Sequence, residues 1–322
     1  MIKRICIFLF TISLLFSSKS YALENAQPEI NTNSRTVQIY FSDGINFHSH
    51  GTGWLYSSNI VFTNAHILYN SEKKSDKVLY NSNNLYVGLP ATPRSSNLST
   101  SIQAYKTFVE KDFEWIGTTA GSALSYKNDF GIIILSKSIS NIKTAKLVDE
   151  NTLNNLINSG AKVTTSGYGF QNNLRIMPDG ELPQKTTYNL INKESGMSVV
   201  NDYKNKYNRG FFEENKVAFV DVPVGGASQC DGDSGSGFYI DDLYLGATMT
   251  PIGSPNCGIG WWENAAIASF RPVYFDTELI KTAEAFQQTM YNKTIYCKKL
   301  LLIKKITSRN PVCPKGYILI KK

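Results

Sequence analysis

Glycines flank a serine in the string Cys230-Asp231-Gly232-Asp233-Ser234-Gly235-Ser236-Gly237, and the chemistry this allows is nucleophilic attack. Glycine reaches backbone conformations that other residues resist, so a tight turn here exposes the Ser234 hydroxyl. The same turn can aim the N–H groups of Gly232 and Ser234 at one point, where a carbonyl oxygen gaining negative charge is stabilised by about 3 kcal/mol per donor. Taken alone, the string also reads as a polar turn between two strands. A serine nucleophile needs a base, and the chain holds three histidines, His48, His50 and His66. His66 closes the apolar run Val61-Phe62-Thr63-Asn64-Ala65-His66, a strand end where an imidazole can be held rigidly. His48 and His50 lie in a polar approach to Gly51-Thr52-Gly53-Trp54 and read as structural. The third requirement is a carboxylate that accepts the second imidazole N–H, fixing the tautomer and stabilising the imidazolium. Asp129 fits, directly before the apolar run Phe130-Gly131-Ile132-Ile133-Ile134-Leu135, which reads as a buried strand. A turn aspartate before a strand is also common in its own right.

These strings occur in the order His, Asp, Ser, and the chain resembles the chymotrypsin/trypsin family of serine peptidases over about residues 37–290. The resemblance implies an all-β fold of two six-stranded antiparallel β-barrels, with the active site between them and a C-terminal helix. It implies His66 as general base, Asp129 as the acid that orients it, and Ser234 as nucleophile. Gly232 and Ser234 would supply the oxyanion hole. A disulfide from Cys230 to Cys257, across the specificity pocket, is also implied, which leaves Cys297 to pair with Cys313. Ile67 departs from the family pattern, because many members carry a bridged cysteine directly after the histidine.

In the family, the residue six before the nucleophile floors the specificity pocket, and an Asp there selects Lys or Arg. That residue here is Ser228, and the wall resembles Ala247-Thr248-Met249-Thr250. Thr248, Met249 and Thr250 with Ser228 thus suggest an uncharged or apolar side chain before the scissile bond. Glu263, six residues past Cys257, is the main candidate acid that could change this, and it also reads as a solvated loop residue. Many members are activated when a freed N-terminal ammonium pairs with the acid preceding the nucleophile, here Asp233. Leu23 stands about the family distance before the strand at Val37 and would be that terminus.

The ends of the chain bound the rest. Lys3 and Arg4 precede an apolar run over residues 5–16, and Ser20-Tyr21-Ala22 offers the small residues of a signal-peptidase site. Residues 1–22 therefore read as a secretory signal, too short for a stable membrane span. Residues 23–292 form the peptidase domain and residues 293–322 a basic tail. Removing Cys6 with the signal leaves four cysteines, an even number suited to an oxidising compartment, so the protein is expected to be secreted or periplasmic. No later segment approaches transmembrane length.

Short alternating or apolar runs at 37–41, 54–63, 85–89, 131–135, 162–166, 216–222, 237–240, 244–248 and 265–270 read as strands, and 276–290 as a helix. Sixty-two residues separate His66 from Asp129, and the Ser- and Asn-rich part over 71–101 reads as surface insertion. Residues 293–322 hold nine Lys or Arg and no acid, residues 1–22 hold three, and the remainder is acidic overall, with 21 basic and 26 acidic side chains. The tail reads either as a disulfide-tied hairpin with solvated lysines or as a cationic anchor for an anionic surface. No aromatic stacking platform accompanies the charge, which argues against nucleic acid. No metal-ligand cluster is evident, and the chemistry implied needs no metal or organic cofactor. The partners expected are polypeptide substrates. The other function class is a catalytically silent relative serving as a binding or adhesion module, against which the intact His66, Asp129, Ser234 and Gly232 argue.

Overall fold

The computed structural model describes residues 26–30, 34–44, 47–69, 78–94, 100–115, 126–169, 180–207, 213–223, 227, 229–230, 232–252, 267–290, 293–300, 302–308 and 312–320. Six strands build a first barrel: β1 (Thr36–Ser42), β2 (Phe47–Ser57), β3 (Ile60–Thr63), β4 (Leu85–Gly88), β5 (Ser101–Val109) and β6 (Gly131–Leu135). Their order is β1-β2-β3-β6-β5-β4, closed where Ile39 of β1 pairs with Val87 of β4. Six more build a second: β7 (Lys162–Gly167), β8 (Gln184–Ile191), β9 (Ala218–Asp221), β10 (Gly237–Ile240), β11 (Leu243–Ile252) and β12 (Ile267–Pro272). Their order, β7-β8-β9-β12-β11-β10, repeats the first, and pairing of Leu190 with Val220 joins β8 to β9. The two six-stranded antiparallel barrels and C-terminal helix expected from the sequence are therefore present.

Alternation along β6 shows how the barrels meet. Ile133 and Leu135 point into the first barrel beside Val37, Ile39, Leu55 and Val61. Their neighbours Ile132 and Ile134 point outward, with Phe62 of β3, and join a cluster running through Trp54, Tyr244, Phe238 and Phe270 of the second barrel. A strand covered on both faces must be apolar at every position, which explains why β6 reads as a continuous run rather than an alternating one.

Helix α3 (Thr277–Met290) follows a 3₁₀ turn at Val273–Asp276 and returns to the first barrel. Ile280 and Ala283 are buried, Phe286 meets Phe108 of β5 edge-on at 5.5 Å, and Tyr56 donates to Glu284 at 2.7 Å. Two helices were not expected from the sequence, α1 (Glu150–Asn158) and α2 (Lys193–Tyr207). Asp149 caps α1 by accepting from the Thr152 N–H at 2.7 Å. Strands β5 and β8 were likewise not expected from the sequence. Along β8 only Gln184, Tyr188 and Leu190 are buried, too few apolar positions for an alternation to register. The run over 54–63 divides at a turn into β2 and β3.

The C-terminal residues fold into a separate three-stranded antiparallel sheet, β13 (Lys293–Lys299), β14 (Leu302–Ser308) and β15 (Ile318–Ile320), with β13 in the middle. A disulfide joins Cys297 to Cys313. Cys230 is also disulfide-bonded; its expected partner Cys257 lies outside the described residues.

Candidate active site

The chain leaves β3 at Thr63 and turns at once into a short 3₁₀ helix, Ala65–Leu68, that carries His66. This turn rests on the start of β6, and Gly131 makes the approach possible. A Cβ at Gly131 would lie 2.7 Å from Leu68 Cδ1, 3.2 Å from the Asn64 carbonyl oxygen and 3.3 Å from Ala65 Cα. With no side chain there, Asp129 two residues earlier reaches His66 twice. Its Oδ2 lies 2.7 Å from His66 Nδ1, and its Oδ1 accepts from the His66 backbone N–H at 2.9 Å. Asn64 Nδ2 donates to the Asp129 carbonyl at 2.9 Å, closing the loop. The Asp129 side chain is 2% exposed and that of His66 14%, so the acid is shielded while one imidazole edge stays open. Tyr126 stacks on the ring, with centroids 4.5 Å apart and planes 8° from parallel. With Nδ1 held by the carboxylate, the free Nε2 is the nitrogen left for a substrate or nucleophile.

The Ser234 turn is docked on β2 through backbone groups. Thr52 N–H donates to the Ser234 carbonyl at 2.9 Å and Thr52 Oγ1 to the Gly232 carbonyl at 2.8 Å. Gly235, at φ +87°, could not be another residue, because a Cβ would lie 2.1 Å from the Thr52 carbonyl oxygen and 2.2 Å from Thr63 Oγ1. Gly51 brings the two halves of the site together, since its Cβ position is 2.8 Å from Ile67 Cδ1 and 3.2 Å from the Ser234 carbonyl oxygen. Gly232, at φ +93°, completes the turn. Among the described residues the N–H groups of Gly232 and Ser234 make no hydrogen bond, and Ser234 Oγ and His66 Nε2 make none either. The nucleophile–base contact in free hydrolases is often long and tightens when substrate binds.

Asp233 faces inward and is fully buried. Its Oδ1 accepts from Gly169 N–H at 2.8 Å and its Oδ2 from Cys230 N–H at 2.9 Å. Arg94, also buried, donates to the carbonyl of Tyr168 beside it. Burial pulls the Arg94 pKa below its ordinary value, and Tyr40, Glu181 and Asp233 oppose that shift. The Ser234 turn therefore sits on a buried carboxylate with a guanidinium in its field.

His48 is exposed and pairs with Asp43 at 3.5 Å. His50 is a structural neighbour of the site: burial, with the charges of His66 and His48, lowers its pKa to about 4, while a hydrogen bond with the Ile67 backbone opposes this. His50 is therefore neutral at neutral pH and lies against the buried Ile67 beside the histidine turn. Because the folded pKa lies below the unfolded 6.5, the unfolded chain takes up this proton first, so His50 removes stability as pH falls from about 6.5 towards 4.

Thr248, 3% exposed, donates its N–H to the Ser236 carbonyl at 2.8 Å and accepts from Gln229 Nε2 at 2.7 Å. Met249 is partly exposed and lies against Val200, Val217, Phe219 and Ile267. The Thr250 backbone pairs with Ser269 in β12. Ser228, Leu23 and Glu263 lie outside the described residues.

A charged network missed at the sequence level reaches the acid from the other barrel. Asp276, at the end of the turn into α3, binds Arg271 of β12 at 2.9–3.0 Å through Nε and Nη2. Arg271 Nη1 meets Glu213 Oε2 at 3.2 Å, and that oxygen accepts from the Asn128 backbone N–H at 2.8 Å. Lys216 closes the far side, 2.6 Å from Asn128 Oδ1 and 3.6 Å from Glu213 Oε1. Burial would lower the Arg271 pKa, yet Asp276 and Glu213 raise it above its ordinary value, so the cation persists. Asn128, with φ +52°, immediately precedes Asp129, and the second barrel thus grips the loop that carries the acid. The visible signal was an arginine inside the otherwise uncharged strand Ile267–Pro272, with an acid five residues on.

A family model described as Trypsin matches residues 25–261. No curated protein matches the chain.

The grip on Asn128 has a measurable consequence. Glu213→Ala removes both the acceptor for the Asn128 N–H and a partner of Arg271, and should destabilise the fold by about 3 kcal/mol. Displacement of Asp129 should lower kcat by about a hundredfold on a peptide ester, with KM little changed. Glu213→Gln still offers an acceptor oxygen and should recover most of kcat. Wild-type kcat in Glu213→Ala would mean that Asp129 is held without this network.

Proposed function

The chain belongs to the trypsin family of serine peptidases, and from that premise we propose that it is a secreted endopeptidase working through an acyl-enzyme on Ser234. The observation that carries this reading is the double hold of Asp129 on His66, at 2.7 Å to Nδ1 and 2.9 Å to the backbone N–H, which leaves Nε2 as the working nitrogen. In the proposed cycle His66 Nε2 removes the Ser234 proton as Oγ attacks the scissile carbonyl carbon. The oxygen becomes an oxyanion facing the N–H groups of Gly232 and Ser234, which no other described group occupies. His66 then gives its proton to the leaving amine, the C–N bond breaks, and an ester remains on Ser234. Water attacks that ester with His66 again as base, releasing the acid product and restoring the hydroxyl. Asp129 stays ionised throughout and stabilises the transient imidazolium. No metal or organic cofactor enters these steps.

Secretion is supported by the signal-like residues 1–22 and by disulfide bonding at Cys230, Cys297 and Cys313, since such bonds persist in oxidising compartments. Among the described residues no helix is long and apolar enough to cross a membrane. The specificity proposed follows from Ser228, a small neutral residue at the position that the family resemblance assigns to the pocket floor, with Thr248 and Met249 assigned to its wall. For activation we propose the terminus freed at Leu23. Ala26, three residues later in the chain, is buried against Ala227, six residues before Asp233.

Three measurements test these proposals. A fluorophosphonate probe should label the mature protein at Ser234 and fail on Ser234→Ala; no labelling of the folded wild type would indicate a catalytically silent binding module. On a peptide library, cleavage should favour uncharged or apolar residues before the scissile bond, and dominant cleavage after Arg or Lys would contradict the role given to Ser228. Extending the mature N-terminus by a few residues should abolish activity. Full activity in the extended form would transfer the pairing with Asp233 to an internal cation, for which Arg94 is a candidate among the described residues.

A further inference from the structure

The C-terminal sheet breaks the rule that large apolar side chains are covered. Ten such residues are exposed among those described, and six lie in this short tail: Leu300, Leu302, Ile303, Val312, Ile318 and Leu319. Scattered exposed leucines need no explanation, but this is a cluster and its register gives it a shape. Lys299 pairs with Leu302 to close the β13–β14 hairpin, and Leu300 forms its tip at φ +55° with 85% of its surface exposed. One step from the tip, Lys298 stands between Ile303 on one side and Ile318 on the other. Leu302 and Ile303 are successive strand residues and so project from opposite faces of the sheet. They are 65% and 59% exposed, so the tip is apolar on both faces.

That geometry distinguishes among occupants. A second protein surface covers one face of a sheet, whereas an apolar tip exposed all round is suited to insertion into a fluid apolar layer. The charges select which layer. Lys298, Lys299, Lys304 and Lys305 are all exposed around the tip, and the whole tail carries nine cations and no acid. Lys304 lies 5.1 Å above the Tyr317 ring, placing an amphipathic aromatic beside the cations, as interfacial segments do. The Cys297–Cys313 disulfide ties the middle strand to the loop before β15, so the tip is presented by a braced sheet. A hydrated polyanion such as an acidic polysaccharide would engage the lysines and leave Leu300 and Ile303 in water.

We propose that the hairpin tip at Leu300 is an insertion wedge for an anionic phospholipid surface, with Leu300, Leu302, Ile303 and Ile318 entering the interface and the surrounding lysines holding the headgroups. Long lysine side chains suit this arrangement because their stems lie along apolar surface while the ammonium stays wet. The wedge would tether the peptidase to membranes without a transmembrane helix and is independent of the catalytic residues.

Co-sedimentation of the mature protein with vesicles tests it, using phosphatidylcholine alone or mixed with phosphatidylglycerol. Binding should appear only with the mixed vesicles and weaken as salt is raised. The double variant Leu300→Asp, Ile303→Asp should bind the mixed vesicles about tenfold or more weakly, with its near-ultraviolet circular dichroism unchanged because both side chains are exposed. Three outcomes would overturn the proposal. One is undiminished binding by the double variant, which would make the contact purely electrostatic, as for a polysaccharide. The second is absence of binding to either vesicle. The third is lipid-independent dimerisation that the double variant abolishes, which would assign the tip to a second copy of the chain.

Discussion

Everything at this site depends on one buried carboxylate. Asp129 gives one oxygen to the ring of His66 and the other to its backbone N–H, so a single group fixes both where the imidazole sits and which nitrogen carries the proton. An ionised carboxylate in a dry place is costly unless hydrogen-bonded, and these two donors offset that cost while doing the positioning. The demand spreads outward from there. The His66 turn must lie flat on the first strand that follows Asp129, and only a residue without a Cβ at position 131 permits that distance.

The second constraint is that Ser234, the proposed nucleophile, comes from the other barrel. Apolar packing brings the barrels together through Phe62, Ile132 and Ile134, but it is not directional and would tolerate a slide of an ångström. Polar contacts remove that freedom. Thr52 of the first barrel holds the carbonyls of Gly232 and Ser234 of the second. In the opposite sense, Glu213, Arg271 and Asp276 of the second hold Asn128 of the first. Each barrel thus positions the loop of the other that carries a residue of the proposed site. A charged network buried this deeply adds little net stability over apolar packing, and its contribution is orientation. The C-terminal sheet stands apart from this arrangement, braced by its own disulfide.

The residues of the proposed site stand out in the sequence because each belongs to a local pattern. A serine between glycines, a histidine at the end of an apolar run and an aspartate before one are short-range patterns, and their order along the chain did the rest. Strand β6 was equally plain, since burial on both faces leaves no polar position to blur it. What escaped was set by contacts distant in sequence. Glu213 sits among Glu214 and Lys216 and reads as surface charge, and only the folded chain shows it reaching Asn128, 85 residues away. Tyr126 precedes a lysine and an asparagine and carries no mark of its stacking on His66. Helix α2 was hidden by its polar composition: Asn, Asp, Lys and Ser occupy much of Lys193–Tyr207, so no apolar stripe stood out. The basic tail showed its charge and its paired cysteines, but the sheet register that gathers Leu300, Ile303 and Ile318 at one end appears only on folding.

The most direct test of the proposed chemistry is a crystal structure of the protein after reaction with a fluorophosphonate. The expected result is phosphorus bonded to Ser234 Oγ, with the phosphoryl oxygen about 2.7–3.1 Å from the N–H groups of both Gly232 and Ser234, and His66 Nδ1 still held by Asp129. A phosphoryl oxygen turned away from those two N–H groups, or an adduct on a residue other than Ser234, would contradict the assignment of nucleophile and oxyanion hole.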